Sequence, residues 1–552
     1  MARTFDFIIV GAGSAGCVLA DRLTASGRHK VLLIEAGGTD RRVWIRIPVG
    51  YGFTFSDPKV NWRYSAAADP GLNGRAAYWP RGKVLGGSSS INAMAYVRGL
   101  PHDFDDWEAA GAAGWGWEAV RASYDALESN DEWHEGRRRL RGTGPVRVTD
   151  LSERMHPFAR NFLAAGQDMG WPVLQDMNAA AEAGANTLPG EGLGYVRSTV
   201  KAGRRWSSAD AFLRPAMKRG NLTVVSGALV EKVLTAGGRA TGVAYRVKGQ
   251  TQLAAAAREV ILSAGAVNSP QLLQLSGIGP AALLQRHGIL VKHDLPQVGQ
   301  GLQDHLAVSH YFWANTATLN SRLGSFAGQV KAGLQYVLTR KGPLSVPVNQ
   351  CSGFVRTAGA ALPDVQVYCN PASYSTQANG KPQIDRDNGF LLCVQPSRPV
   401  SRGQIAIRSA DPAQAPLIEP NSLSAEEDKV TAVRASRLLQ ALAATPAIKR
   451  VTRERRDPDI LHMDDAALLE NFRARAGSVF HASCTCRMGH TAADSVLDAR
   501  LRVHGMAGLR VIDASAFPNV TSGNTNAPAM MLAARGAQMV LDDNEDRALA
   551  AE

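Results

Sequence analysis

The first forty residues constrain the fold of this chain more than any other stretch. Residues 5–10 (FDFIIV) predict a buried strand, and residues 11–16 (GAGSAG) follow it at once. Residues 17–23 have the apolar spacing of a helix, and a second apolar run at 31–34 ends on Glu35. A strand, a tight glycine turn, a helix, a second strand and an acid together form the fingerprint of a dinucleotide-binding βαβ unit.

Each part of this fingerprint has a physical task. Gly11 allows the sharp turn, Gly13 lets the backbone approach a pyrophosphate, and Gly16 lets the helix pack closely on the strand. The helix N-terminus offers free N–H groups and a partial positive charge to the phosphates, and Glu35 can accept hydrogen bonds from ribose hydroxyls. The structural alternative is a glycine turn that merely packs a βαβ unit. The motif alone does not distinguish FAD from NAD.

The length and charge of the chain narrow its class. At 552 residues it is too long for one simple core, so we predict two or more domains. The formal net charge is +12 at pH 7, and a positive charge of this size can favour binding to nucleic acid, an anionic membrane surface or acidic ligands. The basic residues are scattered, and the one dense run, RRRLR at 137–141, has no interleaved aromatic residue. We interpret this run as a solvated loop and expect no nucleic-acid partner.

The cysteines and the apolar runs indicate a compartment. Six cysteines in a chain of this length do not form a disulfide framework. Cys17, Cys369 and Cys393 lie in apolar stretches, where a small buried thiol is the usual state. No signal peptide precedes the first predicted strand, and no run approaches the roughly 20 apolar residues of a membrane span. We expect a cytoplasmic protein without a transmembrane segment, and peripheral contact at the inner membrane face stays open.

A second glycine-rich stretch lies between apolar segments. Residues 36–80 are rich in Gly, Pro and aromatic residues and predict long ordered loops. They lead into RGKVLGGSSSIN at 81–92, where paired glycines and three serines let the backbone run close to a flat or phosphorylated ligand. Apolar residues at 84–85 and 91–97 flank the glycines and serines, which argues against a flexible linker.

The rest of the pattern predicts two kinds of sheet. A second strand–turn–helix unit over 260–275 indicates that the chain adds to the dinucleotide-binding sheet again after an intervening segment. A strand at 509–513 and a helix at 528–541 are predicted to belong to the same domain. Residues 156–200 look helical and then loop-like, and short strands with helices between them over 307–475 fit an antiparallel sheet. Further strands are predicted at 222–225, 229–234, 241–245, 365–368, 390–395 and 404–407.

We therefore predict an α/β protein with two domains. A Rossmann-like nucleotide-binding domain is built from the N- and C-terminal segments, and an α+β substrate domain with an antiparallel sheet is inserted between them. The predicted boundaries assign residues 1–155, 206–306 and 477–552 to the first domain and residues 156–205 and 307–476 to the second.

Four separated motifs resemble those of the glucose–methanol–choline (GMC) oxidoreductases, and the resemblance covers almost the whole chain. They are the N-terminal fingerprint with Glu35, GGSSSIN at 86–92, the segment from GAVNSP to SGIG at 265–279, and the pair HASCTCRMG at 481–489 with NTNAP at 524–528. The resemblance implies FAD rather than NAD, and a small-molecule alcohol as substrate.

The resemblance also implies which residues bind FAD. The fingerprint corresponds to residues that hold the ADP half, the loop ending at Asn92 lines the isoalloxazine ring in the family, and the C-terminal motifs lie at the pyrophosphate and the flavin edge. The residues implied in this way are Gly11, Gly13, Ser14, Ala15, Gly16, Glu35, Ala36, Arg81, Val84, Gly86, Gly87, Ser88, Asn92, Ala93, Val230, Ala264, Asp513, Ala514, Asn524, Thr525 and Asn526. Some relatives attach FAD covalently through a histidine after the serines. Ile91 stands at that position here, so we expect non-covalent FAD.

Alcohol oxidation by a flavin needs loss of the hydroxyl proton and transfer of the α-hydride to flavin N5. A neutral imidazole suits the first step because its ordinary pKa is about 6.5. By resemblance, His481 is the catalytic base, and Asn524 takes the second active-site position, where its amide would orient the alcohol oxygen. The N-terminal dipole of the helix from Pro528 would offset the negative charge of the reduced flavin.

The sequence also allows other roles for the histidines. His481, Cys484, Cys486 and His490 superficially offer four metal ligands, but their spacing fits no common zinc template, and we expect no metal. A buried structural histidine is the other alternative for His481. His305, in an LQDH segment that recurs in the family near the domain junction, is interpreted as structural.

The substrate is the least constrained part of the prediction. The motifs look most similar to bacterial alcohol dehydrogenases acting on aliphatic primary alcohols, then to sorbose and choline dehydrogenases. Choline needs an anionic or aromatic cage for its quaternary ammonium, and Gln350 stands where several relatives place a glutamate. Phe480 keeps an apolar wall without a tyrosine hydroxyl. Both residues predict a substrate pocket for a neutral, apolar primary alcohol, which is oxidised to the aldehyde.

The electron acceptor, a quinone or oxygen, is left open by the sequence. A hydroxynitrile lyase with redox-silent FAD is a different activity on the same fold. An FAD-binding scaffold without turnover is a third reading, which the His481 and Asn524 pair disfavours.

Overall fold

A computed structural model describes residues 3–134, 137–178, 188, 190–376 and 382–549. Two large sheets organise these residues, one mixed sheet of seven strands and one antiparallel sheet of six. Each sheet has its own hydrophobic core. This arrangement confirms the predicted α/β class, with a second, antiparallel α+β region.

The seven-stranded sheet takes strands from both ends of the chain. Arg3–Val10 pairs in parallel with Val31–Glu35 on one side and with Gln250–Leu262 on the other. Leu509–Val511, close to the C-terminus, also pairs in parallel with Gln250–Leu262. The remaining strands of this sheet are Leu222–Ser226, Ala228–Ala236 and Arg239–Val247. The N- and C-terminal segments therefore build one Rossmann-like sheet, as predicted.

Two glycines set the geometry of the βαβ unit. Gly11 has a φ of +99°, and a Cβ there would lie 2.5 Å from the carbonyl oxygen of Ser263. A Cβ on Gly16 would lie 1.8 Å from the carbonyl oxygen of Gly11. The helix Ser14–Thr24 can therefore start directly at the strand end and pack against it, because neither position carries a side chain.

The antiparallel sheet lies in the middle of the sequence. Its central strands are Leu306–Ala314, Gly389–Pro396 and Val365–Asn370, which pair in that order. The helix Glu426–Ala444 packs on Gly389–Pro396, and the helix Ala159–Asp168 packs on Val365–Asn370. The other strands of this sheet are Cys351–Val355, Thr452–Arg455 and Gly477–Ser478. The domain boundaries given above stay predictions.

The remaining elements are shorter or lie on the periphery. The other helices of six residues or more are Pro101–Ala109, Trp117–Leu127, Gly265–Leu275, Ala281–Arg286, Phe326–Thr339, Pro446–Val451, Asp465–Arg475 and Asn526–Leu549. Short helical segments are Val43–Arg46, Pro48–Gly50, Tyr51–Thr54, Pro70–Leu72, Gly87–Ser90, Ser152–Arg154, Ala209–Leu213, Arg214–Ala216, Asn320–Leu323, Pro343–Ser345, Ile460–His462 and Ala514–Ala516. Small strands are Tyr64–Asp69, Arg75–Trp79, Glu128–His134, Arg137–Arg141, Val146–Val148, Val173–Leu174, Gly192–Tyr195, Val200–Lys201, Arg204–Arg205, Ile278–Gly279, His293–Asp294, Gln300–Leu302, Tyr374–Thr376, Pro382–Ile384, Gly403–Ala406 and Leu417–Glu419.

Two loop predictions are wrong. Residues 36–80 contain short helices and the hairpin Tyr64–Asp69 with Arg75–Trp79, which Tyr64 and Trp79 anchor in a small buried cluster. The basic run Arg137–Arg141 is a strand paired with Glu128–His134. Acidic residues on that partner strand stand opposite the run and favour pairing over a solvated loop. Residues 179–187 and 189, within the predicted loop-like stretch, lie outside the described residues.

The predictions on cysteines and membrane spans can be compared directly with the structure. All six cysteines are free and buried, which confirms the prediction for Cys17, Cys369 and Cys393. Within the described parts of the chain, no helix combines the length and the apolar character that crossing a bilayer requires.

Candidate active site

A cavity of about 430 Å³ lies at the carboxyl ends of the parallel strands. Val10, Glu35 and Ser263 stand in its wall, at the ends of three neighbouring strands. Open α/β sheets bind ligands at this edge. The predicted site residues in the wall are Gly11, Gly13, Ser14, Ala15, Glu35, Ala36, Arg81, Gly87, Ser88, Asn92, Ala93, Val230, Ala264, Phe480, His481, Asp513, Ala514, Asn524, Thr525 and Asn526. The fold thus gathers most of the predicted set around one space.

Three of the predicted FAD-binding residues lie behind this wall rather than in it. Gly16 faces the strand, where it leaves room for the carbonyl group of Gly11. The Gly86 N–H donates to the carbonyl of Ala12 at 2.8 Å and so ties the second glycine-rich loop to the fingerprint. Val84 is fully buried in a small apolar cluster. These three residues shape the cradle by packing, because glycine turns and their apolar supports lie beneath the ligand-facing backbone.

The acid of the fingerprint is held by two backbone donors. Ala12 N–H donates to Glu35 Oε2 at 2.9 Å, and Gly37 N–H donates to Glu35 Oε1 at 2.7 Å. Burial raises the pKa of Glu35 to about 7, against the opposing effect of these two donors. Each carboxylate oxygen keeps a further acceptor site, which a ribose hydroxyl could use.

The two ends of the chain meet at the cavity. Ser14, in the first turn of the fingerprint helix, donates its hydroxyl proton to Asn526 Oδ1 at 2.7 Å. Asp513 Oδ2 accepts from Ser269 Oγ at 2.6 Å and from Gly265 N–H at 2.9 Å, which joins the C-terminal strand end to the second strand–turn–helix unit. The helix Asn526–Leu549 therefore begins at the cavity wall.

Sequence reasoning missed Arg205, which supports the loop that carries Asn92. Its side chain is almost fully buried and donates to Asn92 Oδ1 at 2.7 Å, to the Asn92 carbonyl at 2.6 Å and to the Ser89 carbonyl at 3.1 Å. Burial lowers the pKa of Arg205 to about 9. Nothing in the sequence around this arginine signals its role, since its partners are more than a hundred residues away.

His481 lies in a chain of hydrogen bonds that fixes its tautomer. His305 Nε2 is 2.9 Å from the carbonyl oxygen of Ser397, which can only accept, so this nitrogen carries the proton. In the neutral ring, His305 Nδ1 is then an acceptor, and it lies 2.9 Å from His481 Nδ1. His481 Nδ1 must therefore carry the proton. His481 Nε2 keeps its lone pair and accepts from Asn524 Nδ2 at 3.0 Å.

Both imidazoles are held in the neutral form. Burial lowers the pKa of His305 to about 4. Burial also lowers the pKa of His481 well below 6.5, and a proton on His305 and the positive charge of Arg81 both act in the same direction. A neutral ring whose unprotonated Nε2 lies at the cavity is the state that a proton-accepting group requires.

Asp304 anchors the backbone of both histidines. Its Oδ1 accepts from the backbone N–H of His481 at 2.7 Å and of His305 at 2.9 Å, and its other oxygen accepts from the Ser478 hydroxyl. Phe480, directly before His481, has a φ of +71°, a left-handed backbone conformation that residues other than glycine rarely adopt. This anchoring turns the His481 ring toward Asn524.

Outside the nucleotide cradle, the cavity wall combines aromatic residues with polar ones such as Asn370 and Gln395. Its aromatic residues are Tyr51, Phe55, Trp62, Tyr368, Tyr374 and Phe480. Glu35 and Asp513 are the carboxylates that the described lining contains, and both belong to the nucleotide cradle. Phe480 lies in the wall, and its role in a substrate pocket stays a prediction.

Gln350 is placed differently from the prediction. Its side chain is almost fully buried, and its Oε1 accepts from the backbone N–H of His156 at 2.7 Å. The preceding residue, Asn349, lines the cavity instead. The prediction for Gln350 is wrong by one residue, because successive side chains in an extended segment point to opposite sides.

The wall as a whole fits a dinucleotide. A Cβ on Gly13 would have only the Ser263 carbonyl oxygen near it, at 3.9 Å, so the backbone here is open to a ligand. Unsatisfied polar atoms also lie around the cavity. Within the described residues, Arg81 Nη2, Asn349 Oδ1, Asn370 Oδ1 and Gln395 Nε2 are buried without a hydrogen-bond partner. Buried groups of this kind need a ligand or water to complete them.

Comparison with known proteins gives the family. Two family models, each described as GMC oxidoreductase, match residues 5–307 and 399–533. The chain belongs to the GMC oxidoreductases. Its cofactor is accordingly FAD, and it is an enzyme that acts on CH–OH donors. The prediction from the four motifs is confirmed.

Relatives of this GMC oxidoreductase match over nearly its full length. An oxygen-dependent choline dehydrogenase of Photobacterium profundum is 42% identical over 98% of this chain and 94% of its own length. An alcohol dehydrogenase [acceptor] of Pseudomonas putida is 39% identical over 97% of this chain and 96% of its own. Among solved structures, an FAD-dependent oxidoreductase from Chaetomium thermophilum superposes with a TM-score of 0.85 at 26% identity, covering 98% of this chain and 100% of that one.

Proposed function

We propose that this GMC oxidoreductase oxidises a primary alcohol to the aldehyde, with His481 as the base and non-covalently bound FAD. The observation that carries the proposal is the tautomer of His481, whose unprotonated Nε2 lies beside Asn524 in the cavity wall. A buried structural histidine would need no unprotonated ring nitrogen at a cavity. Ile91, at the position where a histidine would attach the cofactor, supports the non-covalent form.

In the proposed mechanism the alcohol oxygen enters between His481 Nε2 and Asn524 Nδ2 and replaces their direct hydrogen bond. His481 Nε2 accepts the hydroxyl proton, and the Asn524 amide then donates to the alkoxide-like oxygen. His305 keeps accepting from His481 Nδ1, so the ring stays in place while its charge changes. FAD, when bound, supplies the acceptor for the hydride that leaves the carbinol carbon.

Two candidates for the rest of the alcohol are supported by different observations. Choline is favoured by the names of the relatives, and the aromatic residues of the wall could hold its quaternary ammonium by cation–π contact. A neutral, apolar alcohol is favoured by the charges, because Arg81 lies in the wall and the carboxylates of the described lining belong to the nucleotide cradle. We propose a primary alcohol as the substrate class, with choline and a neutral, apolar alcohol as the two candidates within it.

One pair of substrates separates the candidates. Choline and 3,3-dimethylbutan-1-ol have almost the same shape and differ in the positive charge. A choline enzyme reduces its flavin much faster with choline. An enzyme for neutral alcohols prefers the carbon analogue, since the wall then gains apolar contact without a charge to desolvate. Stopped-flow flavin reduction with both compounds at matched concentrations gives the answer directly.

A hydroxynitrile lyase on the same fold is the alternative reaction. Anaerobic mixing with an alcohol panel tests it, because an oxidoreductase bleaches its yellow flavin and a lyase does not. Flavin that stays oxidised with every alcohol, including choline, contradicts the proposal. The same assays with oxygen and with a quinone analogue in parallel identify the electron acceptor, for which we propose a quinone or oxygen.

A further inference from the structure

The helix Phe326–Thr339 exposes its apolar stripe to solvent instead of packing it against the rest of the chain. Ala332 and Tyr336 are the residues of this helix that are buried against the rest of the chain. Five large apolar residues are instead exposed, by between 54% and 82% of their surface: Phe326, Val330, Leu334, Val337 and Leu338. Their spacing of four, four, three and one puts them on one helical face, away from the buried pair. A stripe like this normally packs against another surface.

A second exposed apolar feature continues this surface. The rings of Trp44 and Phe53 stack at 4.3 Å and are about half exposed. The segment Pro48–Gly50 between them contacts Pro343–Ser345, which in turn contacts the helix Phe326–Thr339. We call the exposed residues of this helix together with Trp44 and Phe53 the apolar face.

The helix that carries most of the apolar face has charged residues of one sign, whereas beside Phe53 Asp57 is paired with Arg42. No Asp or Glu occurs between residues 305 and 363, while Arg322, Lys331, Arg340 and Lys341 lie in or beside the helix. Arg322, Lys331 and Lys341 are exposed. Apolar side chains flanked by lysine and arginine are the pattern of helices that lie in the headgroup region of anionic bilayers.

We propose that the apolar face binds the surface of an anionic lipid membrane. A second copy of the chain fits poorly, because a two-fold contact would bring the same four cations of both copies together without a nearby carboxylate from this segment. A lipid surface supplies both an apolar layer for Phe326 and Leu334 and negative headgroups for Lys331 and Lys341.

Membrane binding at this face would also orient the cavity. Tyr51 and Phe55 line the cavity, and Phe53 between them belongs to the apolar face. The cavity wall would therefore approach the lipid, where an apolar alcohol or a lipid-soluble electron acceptor is concentrated. This consequence for turnover rests on the proposed function, whereas the binding itself does not.

Flotation of the FAD-loaded full chain with vesicles tests the proposal without any turnover. We expect binding to phosphatidylcholine–phosphatidylglycerol vesicles in dilute salt, and weaker binding in molar salt or to phosphatidylcholine alone. The double variant Leu334→Glu/Val337→Glu should need at least about tenfold more lipid for half-binding, since two apolar contacts are replaced by repelled charges. Leu290→Glu, at a position 77% exposed in another part of the chain, is the matched control and should bind as the wild type does.

The thermal midpoint and the rate of flavin reduction by a water-soluble alcohol show that each variant is folded. Wild-type protein that does not float with anionic vesicles overturns the proposal, as does a double variant that floats like the Leu290→Glu control. Equal flotation with neutral vesicles overturns the assignment of anionic lipid. If light scattering shows a dimer for the wild type and a monomer for the double variant, the apolar face binds a second copy of the chain instead.

Discussion

The Nδ1 atoms of His305 and His481 lie 2.9 Å apart, so one ring donates its proton to the other. The carbonyl of Ser397 decides the direction, because it can only accept from His305 Nε2. A backbone carbonyl that follows a strand of the antiparallel sheet thus determines which nitrogen of His481 carries the proton. His305 is buried, as a structural residue would be, but its contact gives it a positioning role in the proposed reaction.

The first prediction concerns this positioning. His305→Phe removes the acceptor for His481 Nδ1–H, so the His481 ring can adopt the wrong tautomer, and we expect flavin reduction to slow by about 10²-fold. His305→Asn keeps an acceptor oxygen and should recover much of the loss. Stopped-flow reduction at saturating alcohol measures both. If the two variants are equally slow, His305 acts through packing and not through its hydrogen bond.

The second prediction concerns the base itself. His481→Ala removes the group that accepts the hydroxyl proton, and the rate of flavin reduction should fall by about 10²–10⁴-fold. FAD should remain bound, because the nucleotide cradle is built from other residues. The flavin absorbance of the purified variant reports the cofactor, and anaerobic reduction reports the chemistry. Reduction at a near-normal rate would remove His481 from the role of base.

The third prediction uses two glycines of the fingerprint as a matched pair. A side chain at Gly13 finds open space toward the cavity, so Gly13→Val should fold and fail to bind FAD. A Cβ at Gly16 would lie 1.8 Å from the Gly11 carbonyl oxygen, so Gly16→Val should destabilise the fold by several kcal/mol, beyond the ~1–3 kcal/mol of ordinary overpacking. Flavin content and thermal unfolding separate the two effects. A yellow, active Gly13→Val protein would show that FAD binds elsewhere.

The fourth prediction is a pH dependence. The pKa of His481 is lowered by burial first, and the positive charge of Arg81 contributes. The base therefore stays unprotonated on acidification, and kcat/KM for the alcohol should hold constant until below pH 6.5. Arg81→Gln removes the charge, so the pKa of His481 should rise and the acidic fall of kcat/KM should move to higher pH. A fall that stays in place, or moves to lower pH, contradicts this account.

The sequence was sufficient wherever one local pattern decided the structure. The order of strand, Gly11, helix and Glu35 leaves a single architecture, and the structure has it. Tyr64 and the run Arg137–Arg141 show the limit, because each lies in a hairpin whose strand pairing the composition of the single segment does not reveal. The domain boundaries and the roles of the site residues stay predictions.

The support of the site was beyond sequence reasoning for a related reason. Arg205 reaches Asn92 across more than a hundred residues, and Asp304 fixes His481 from a different strand region. Gln350 was misplaced by one position, which reverses the side that an extended residue faces. Motifs identify residue types at spacings along the chain, whereas these contacts join segments that are more than a hundred residues apart.

The hydrogen bond between Ser14 and Asn526 spans 512 residues and has a consequence for biosynthesis. At about 5–20 residues per second, a ribosome needs roughly half a minute to two minutes to make the intervening chain. During that time the fingerprint is complete in sequence, but the segment that closes it does not yet exist. A nascent or truncated product that stops before residue 526 therefore carries every glycine of the motif without a closed nucleotide cradle, and stable flavin uptake has to wait until Asn526 has been made.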